Sequence, residues 1–179
     1  MGAALLLLGI FSLFFFRDFD RNTPADDNVL YSPGDGKILE VATLTEGEYA
    51  GQRIIRIFLS VFDGHVQRMP ATGQVRKIVH KPGLFLDARD PMAHVDNEQT
   101  TVTLDTARGT LVVKQIAGLI ARRIVWWIRE GQSLKQGERY GLIRFGSQVD
   151  VIMPSSTQPT VKVGDRVVGG ETVIARWHS

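Results

Sequence analysis

The residues best placed to do chemistry on themselves are Gly146 and Ser147, in the run Arg144-Phe145-Gly146-Ser147-Gln148-Val149-Asp150-Val151. A hydroxyl that follows a glycine, held between two strand-like runs, can attack the preceding carbonyl. Glycine permits strained backbone angles and leaves that carbonyl uncrowded. The product would be an ester made by an N→O acyl shift. The same dipeptide also fits an ordinary hairpin turn, and 18 glycines with 8 serines supply about one such pair by chance, so its neighbours must decide. Two other residues could move protons. His65 lies in Phe58-Leu59-Ser60-Val61-Phe62-Asp63-Gly64-His65-Val66-Gln67-Arg68-Met69-Pro70, just past an apolar strand. There it is either a proton donor or acceptor near neutral pH or a surface histidine. Asp35, in Ser32-Pro33-Gly34-Asp35-Gly36, fits a working carboxylate and equally a turn residue.

Other chemistries are poorly served. The chain has no cysteine, which excludes thiol catalysis, disulfides and thiolate metal sites. Its four histidines, His65, His80, His94 and His178, show no close metal-ligand spacing, so no metal is expected. A formal charge of +2, from 21 basic and 19 acidic residues, gives no argument for nucleic acid.

The elements that must hold these residues are short and β-rich. Runs over 37–44, 53–61, 73–80, 100–105, 110–116, 124–128, 140–145, 149–153 and 172–177 alternate with Gly and Pro punctuation, which predicts a mainly β barrel or sandwich with few helices. Two internal repeats sharpen this. Pro33-Gly34-Asp35-Gly36-Lys37-Ile38 and Pro70-Ala71-Thr72-Gly73-Gln74-Val75 share P-x-x-G-x-aliphatic. Residues 131–138 and 164–171 share G-x-x-aliphatic-x-x-G-E. Such patterns resemble those of lipoyl and biotinyl domains, the barrel-sandwich hybrid. No lysine stands beside Met153-Pro154 to carry a prosthetic group, so a carrier role does not follow.

Residues Ala3 to Phe16 are an unbroken apolar run. As a helix it would rise about 21 Å, short of the ~30 Å hydrocarbon thickness of a bilayer. We read residues 1–21 as a hydrophobic anchor, 22–28 as a polar linker and 29–179 as one folded domain. Arg17 and Arg21 follow the run, which by the positive-inside rule places the domain on the cytoplasmic side of the cell membrane. A second apolar stretch, Ile116 to Ile128, contains Arg122, Arg123, Trp126 and Trp127. It fits either a core segment with outward arginines or an interfacial segment whose arginines meet lipid phosphate.

Taken in order, S-P-x-D-G, F-L-S-x-x-D-x-H-x-x-R-x-P, Q-I-A-G-x-x-A-R-R-I-V and R-F-G-S-x-V-D-V-x-x-P resemble the phosphatidylserine decarboxylase family, in its short prokaryotic form with FGS at the processing site. The resemblance covers nearly the whole chain. It implies a self-processing proenzyme cut between Gly146 and Ser147 into a β chain, 1–146, and an α chain, 147–179. The α chain would begin with a pyruvoyl group made from Ser147, a covalent cofactor whose ketone condenses with the amine of a serine headgroup. Phosphatidylserine would lose carbon dioxide and become phosphatidylethanolamine. The resemblance assigns Asp35 to self-cleavage and His65 to decarboxylation. Where longer members carry a second histidine as the cleavage base, this chain has Arg68, which stays protonated at neutral pH and is a poor base. Either His65 serves both steps, or Asp35 acts without its usual partner, or Arg68 stabilises an oxyanion. The implied partners are membrane lipid and the chain's own two fragments, and a homodimer is compatible with them. An ether-lipid serine headgroup as substrate, or a non-catalytic membrane-tethered adaptor, are the alternatives.

Overall fold

The computed structural model describes residues 2–119, 123–144 and 146–178. Among these, the order of elements begins with helix α1 (Gly2–Phe15), then β1 (Val29–Tyr31), β2 (Gly36–Thr43), β3 (Arg53–Leu59), β4 (Val66–Arg68) and β5 (Gly73–Lys81). A one-turn helix α2 (Ala93–Asp96) precedes β6 (Gln99–Thr106), β7 (Gly109–Ala117), β8 (Ile124–Trp126), β9 (Ser133–Leu134) and β10 (Arg139–Ile143). The chain closes with β11 (Ser147–Met153), β12 (Gln158–Pro159), β13 (Arg166–Val167) and β14 (Val173–Arg176). The fold is mainly β, as expected.

An eight-stranded sheet in the order β13-β2-β3-β11-β7-β6-β5-β9 is joined by two three-stranded sheets, β1-β14-β12 and β4-β10-β8. All strand pairings within the three sheets are antiparallel. One core lies between them: Ile38, Ile55, Ile57, Val149 and Val151 of the large sheet pack with Leu30, Ile174 and Ala175 of one small sheet and Tyr140 beside the other. Each such fully buried side chain contributes about 1.5–3 kcal/mol relative to exposure.

The sequence repeats have a spatial meaning. Gly36 opens β2 and Gly73 opens β5, and each is packed on a neighbouring strand so closely that a Cβ would fall 2.3 Å from Phe58 O or 2.4 Å from Asp105 O. Ile38 and Val75, two residues on, are both in the core. The second repeat places Val167 opposite Gly36 and Leu134 opposite Gly73. The eight-stranded order therefore reads as two halves, β13-β2-β3-β11 and β9-β5-β6-β7, meeting at the β11–β7 ladder. Ser147 is at that seam, flanked by strands on both sides.

The N-terminal helix behaves differently. Leu5, Leu6, Leu7, Leu8 and Leu13 are all exposed on α1, and Phe15 is its one buried residue. No helix among the described residues is long and apolar enough to cross a membrane. Residues 17–21, which the pattern of hydropathy groups with the helix, fold back on the β domain: Arg17 donates to Phe62 O, Asp18 pairs with Arg139 (2.7 Å) and Arg21 with Asp35 (2.7 Å).

Candidate active site

Ser147 is the first residue of β11, and β11 is buried along its whole length because it is flanked on both sides, by β3 and β7. Ser147 stands opposite Leu59 on β3 and Ala117 on β7. The dipeptide does not form a hairpin turn: β10, before it, belongs to a small sheet, and β11 to the large one. Gly146 makes that change of sheet with φ of 61°, a left-handed conformation that costs a residue with a Cβ and costs glycine little. Phe145 lies outside the described residues. The Ser147 side chain is fully buried, and its Oγ has no hydrogen-bond partner among the described residues. Leaving a hydroxyl unpaired in a core costs about 1–3 kcal/mol.

His65 is also fully buried, so the surface reading does not apply. The turn after β3 holds it. Asp63 Oδ2 accepts from both the backbone N–H and the hydroxyl of Ser60 at 2.7 Å, and Arg166 pairs with the other oxygen. The Asp63 carbonyl in turn accepts from His65 Nδ1 at 2.8 Å. A carbonyl can only accept, so the proton belongs on Nδ1 and the lone pair on Nε2. Nε2 is buried and without a partner among the described residues. Burial pushes the imidazole down to about 4, outweighing the pull of Asp63, so the ring is neutral at pH 7. Phe15 covers it, with ring centroids 4.2 Å apart. The histidine is thus joined to the apolar helix, a contact no local pattern reveals.

The site's parts are linked through the packing around them. Ile143 donates its N–H to His65 O at 3.4 Å and packs in one small cluster with Ala117, the partner of Ser147. Asp35 meets the same turn from the other side: a Cβ on Gly64 would be 2.7 Å from Asp35 Oδ2. Both Asp35 oxygens are engaged, one by Arg21 (2.7 Å) and one by the Gly169 N–H (2.8 Å). With both oxygens already accepting, the carboxylate is held in place between Arg21 and Gly169. Arg68 donates to Gly137 O (3.1 Å) and Phe19 O (2.6 Å) and reaches Asp18 at 3.3 Å, so its guanidinium ties the segment after α1 to the domain. Of the two arginines proposed for lipid phosphate, Arg123 is exposed, and Arg122 lies outside the described residues. Trp127 and Leu119 are exposed while Ile124 and Ile128 are buried, so the stretch from 116 to 128 is partly core and partly surface.

A groove beside Gly146 is lined by Phe58, Val61, Phe62, Ala88, Arg89 and Leu119. Phe62 and Leu119 are 71% and 61% exposed, which gives the groove an apolar rim open to the outside. Further along the same face of the large sheet, a polar cleft contains Asp150, Arg56, Lys114 and His94. Asp150 is buried, accepts from Gln148 Nε2 at 2.6 Å and lies 3.5 Å from Arg56. Burial raises its carboxyl to about 6, against the opposing pull of Arg56. A carboxyl whose folded value is raised above the ordinary 3.8 gains stability as pH falls through that window, from about 6 to 3.8. The wild type should therefore gain about 2 kcal/mol over Asp150→Asn as pH falls from 7 to 4. Urea unfolding of both proteins across this range measures the difference, and a constant gap would show that Asp150 is ionised as readily folded as unfolded.

Residues 8–175 match the family model described as phosphatidylserine decarboxylase. The chain is similar to proteins named phosphatidylserine decarboxylase proenzyme in Pelobacter propionicus, with 45% identity over 97% of this chain and 80% of that protein. Those of Geobacter metallireducens (46% identity; 93% and 78% covered) and Beijerinckia indica (46%; 95% and 75%) are also similar.

Proposed function

Because this chain belongs to the phosphatidylserine decarboxylase family, we propose that it is a proenzyme that cuts itself between Gly146 and Ser147 and then converts phosphatidylserine to phosphatidylethanolamine and carbon dioxide. The observation that carries this reading is the buried Ser147 Oγ, without a hydrogen-bond partner among the described residues, directly after a left-handed glycine at the seam of the sheet.

The residues fit a chain-derived pyruvoyl group at position 147. When present, that group supplies an electrophilic ketone that takes the substrate amine and draws off the electrons of the breaking carbon–carboxylate bond. This chain's own residues do the rest. Ser147 Oγ attacks the Gly146 carbonyl, and neutral His65 Nε2 is the acceptor for its proton, with Asp63 O fixing the tautomer. Arg68 is spent on backbone carbonyls, and Asp35 is held by Arg21 and Gly169, so His65 is assigned to cleavage as well as to proton handling in decarboxylation. Asp35 acts on it through space.

Cutting need not release the α chain. Strand β11 is clamped between β3 and β7, β13 pairs with β2, and β14 pairs with β1, all of which belong to residues 1–146. The two fragments therefore share one core and remain together.

A lipid substrate is supported by where the apolar surface lies. Helix α1 ends against His65, Arg17 ties it to Phe62, and Phe62 and Leu119 form the rim of the groove at Gly146. A helix lying in the interface with its leucines in lipid would bring that groove to the membrane surface. Exposed Arg123, and Arg144 above the Phe16 ring at 5.7 Å, are positioned on the chain around the dipeptide to meet a headgroup phosphate.

Mass spectrometry of the denatured, purified protein tests the reading. Two fragments, 1–146 and 147–179, are expected, the second lacking the Ser147 amine, together with carbon dioxide release from phosphatidylserine vesicles. A single intact chain of 19.9 kDa after incubation with membranes, with Ser147 unmodified, would refute it.

A further inference from the structure

Gly118 follows the last residue of β7 and is buried. Its backbone is outside the left-handed region, so its conformation accepts an L side chain. Space is what demands glycine. A Cβ built there would fall 2.1 Å from the Gly146 carbonyl oxygen and 3.0 Å from its carbon. Ala88 closes the same space, its Cβ 3.3 Å from that point. Gly146 shows the reverse: a Cβ on it would meet nothing within 4 Å, and only its φ of 61° calls for glycine. The two glycines therefore make one arrangement, in which the first turns the chain and the second lets bare Cα hydrogens press against the carbonyl so turned.

We infer that Gly118 is a positioning residue for self-cleavage, an inference that rests on reading Gly146-Ser147 as the processing site. In the acyl shift the Ser147 Oγ–Gly146 C bond forms and the Gly146 C–Ser147 N bond breaks. The hydroxyl proton ends on the freed amine, and no co-reactant is consumed. Negative charge collects on the Gly146 oxygen midway. Contact with Gly118 on one side, backed by Ala88, fixes where that oxygen is, and with it the face of the carbonyl offered to Ser147. A methyl at 118 cannot coexist with the oxygen where it stands, and the oxygen must move on the order of 1 Å to restore an ordinary contact.

Gly118→Ala and Ala88→Val, made in the full chain, test this. Ala88→Val crowds the same space from the loop beside the groove and leaves Gly118 untouched, so it decides the matter should Gly118→Ala not fold. Both are scored by melting temperature, by the time course of cleavage on denaturing gels, and by hydroxylamine, which severs an ester at 146–147 and spares the amide. The expected result is a cooperatively melting protein that cleaves about 10²-fold more slowly and yields correspondingly less hydroxylamine-sensitive ester. Wild-type cleavage rates in the folded variants would overturn the inference, as would slow cleavage with ester accumulating, since that places the defect after the carbonyl has been attacked. If the wild type itself is not cut at 146–147, the processing reading falls first; a cut wild type with normally cut variants removes only the role of Gly118.

Discussion

Ser147→Ala is expected to leave the protein as one uncut chain with no decarboxylase activity, a loss on the order of 10⁶-fold or more, since no other group in the site can become an electrophile. The same change should not weaken the fold. Ser147 Oγ is buried with no hydrogen-bond partner among the described residues, so replacing the hydroxyl with hydrogen removes an unsatisfied polar group and leaves little cavity. Stability should hold or rise by about 1 kcal/mol. Urea unfolding of Ser147→Ala beside the freshly refolded, uncut wild type measures this. A marked loss of stability would mean that the hydroxyl is structural, and cleavage in the variant would mean that the bond cut is not the one assigned. The opposition of stability and activity at one atom is the usual mark of a group placed for chemistry.

His65→Ala is expected to slow cleavage by about 10²–10⁴-fold, the usual worth of a general base, and to abolish decarboxylation in whatever fraction is cut. The basis is elimination by geometry. Arg68, which occupies the place where a second histidine was expected, has its guanidinium on Gly137 O and Phe19 O, and the Asp35 carboxylate is shared by Arg21 and Gly169. His65 Nε2 is neutral, buried and unpartnered among the described residues. Cleavage needs that nitrogen unprotonated, so the rate carried by His65 should be level from pH 6 to 8 and should fall as pH drops through about 4. Normal cleavage of His65→Ala, with decarboxylation alone lost, would separate the two steps and send the search for the cleavage base elsewhere. The same group links pH to stability. Its folded value is lowered from 6.5, so the stability it lends is present above 6.5 and is lost as pH falls to about 4, opposite in sign to Asp150.

The coupling of His65 to Phe15 gives the apolar helix a place in this chemistry. Thirteen of the fourteen residues of α1 are not buried, yet the one that is lies against the candidate base. Any displacement of α1 would therefore uncover His65.

Much of this was legible in the order of residues because it is local. Short β-rich runs bounded by Gly and Pro marked the longer strands. The paired P-x-x-G-x-aliphatic and G-x-x-aliphatic-x-x-G-E patterns marked a small β fold punctuated by glycine turns, since a glycine and an aliphatic two or three residues away are read from one short segment; that they form two like halves appears only in the strand order. Asp35, His65 and Ser147 stood out through their motifs. The two-residue strands β9 and β13 were not legible, because so short a run has no period of its own and becomes a strand only by pairing with Gly73 or Gly36.

What only the tertiary structure decided is how distant residues divide the work. The direction of Arg68, the engagement of Asp35 by Arg21, the burial of Asp150 and the cover of Phe15 over His65 all join parts of the chain far apart in sequence, and through-space contacts leave no mark on spacing. Gly118 is the clearest case. In the sequence it belongs to the Q-I-A-G-x-x-A-R-R-I-V motif with no role attached, and the reason for a glycine appears only when the Gly146 carbonyl oxygen is found 2.1 Å from where its Cβ would be. The sequence singled out the Gly146–Ser147 bond through a short local motif; the packing of β7 against β11 decided how that bond is held.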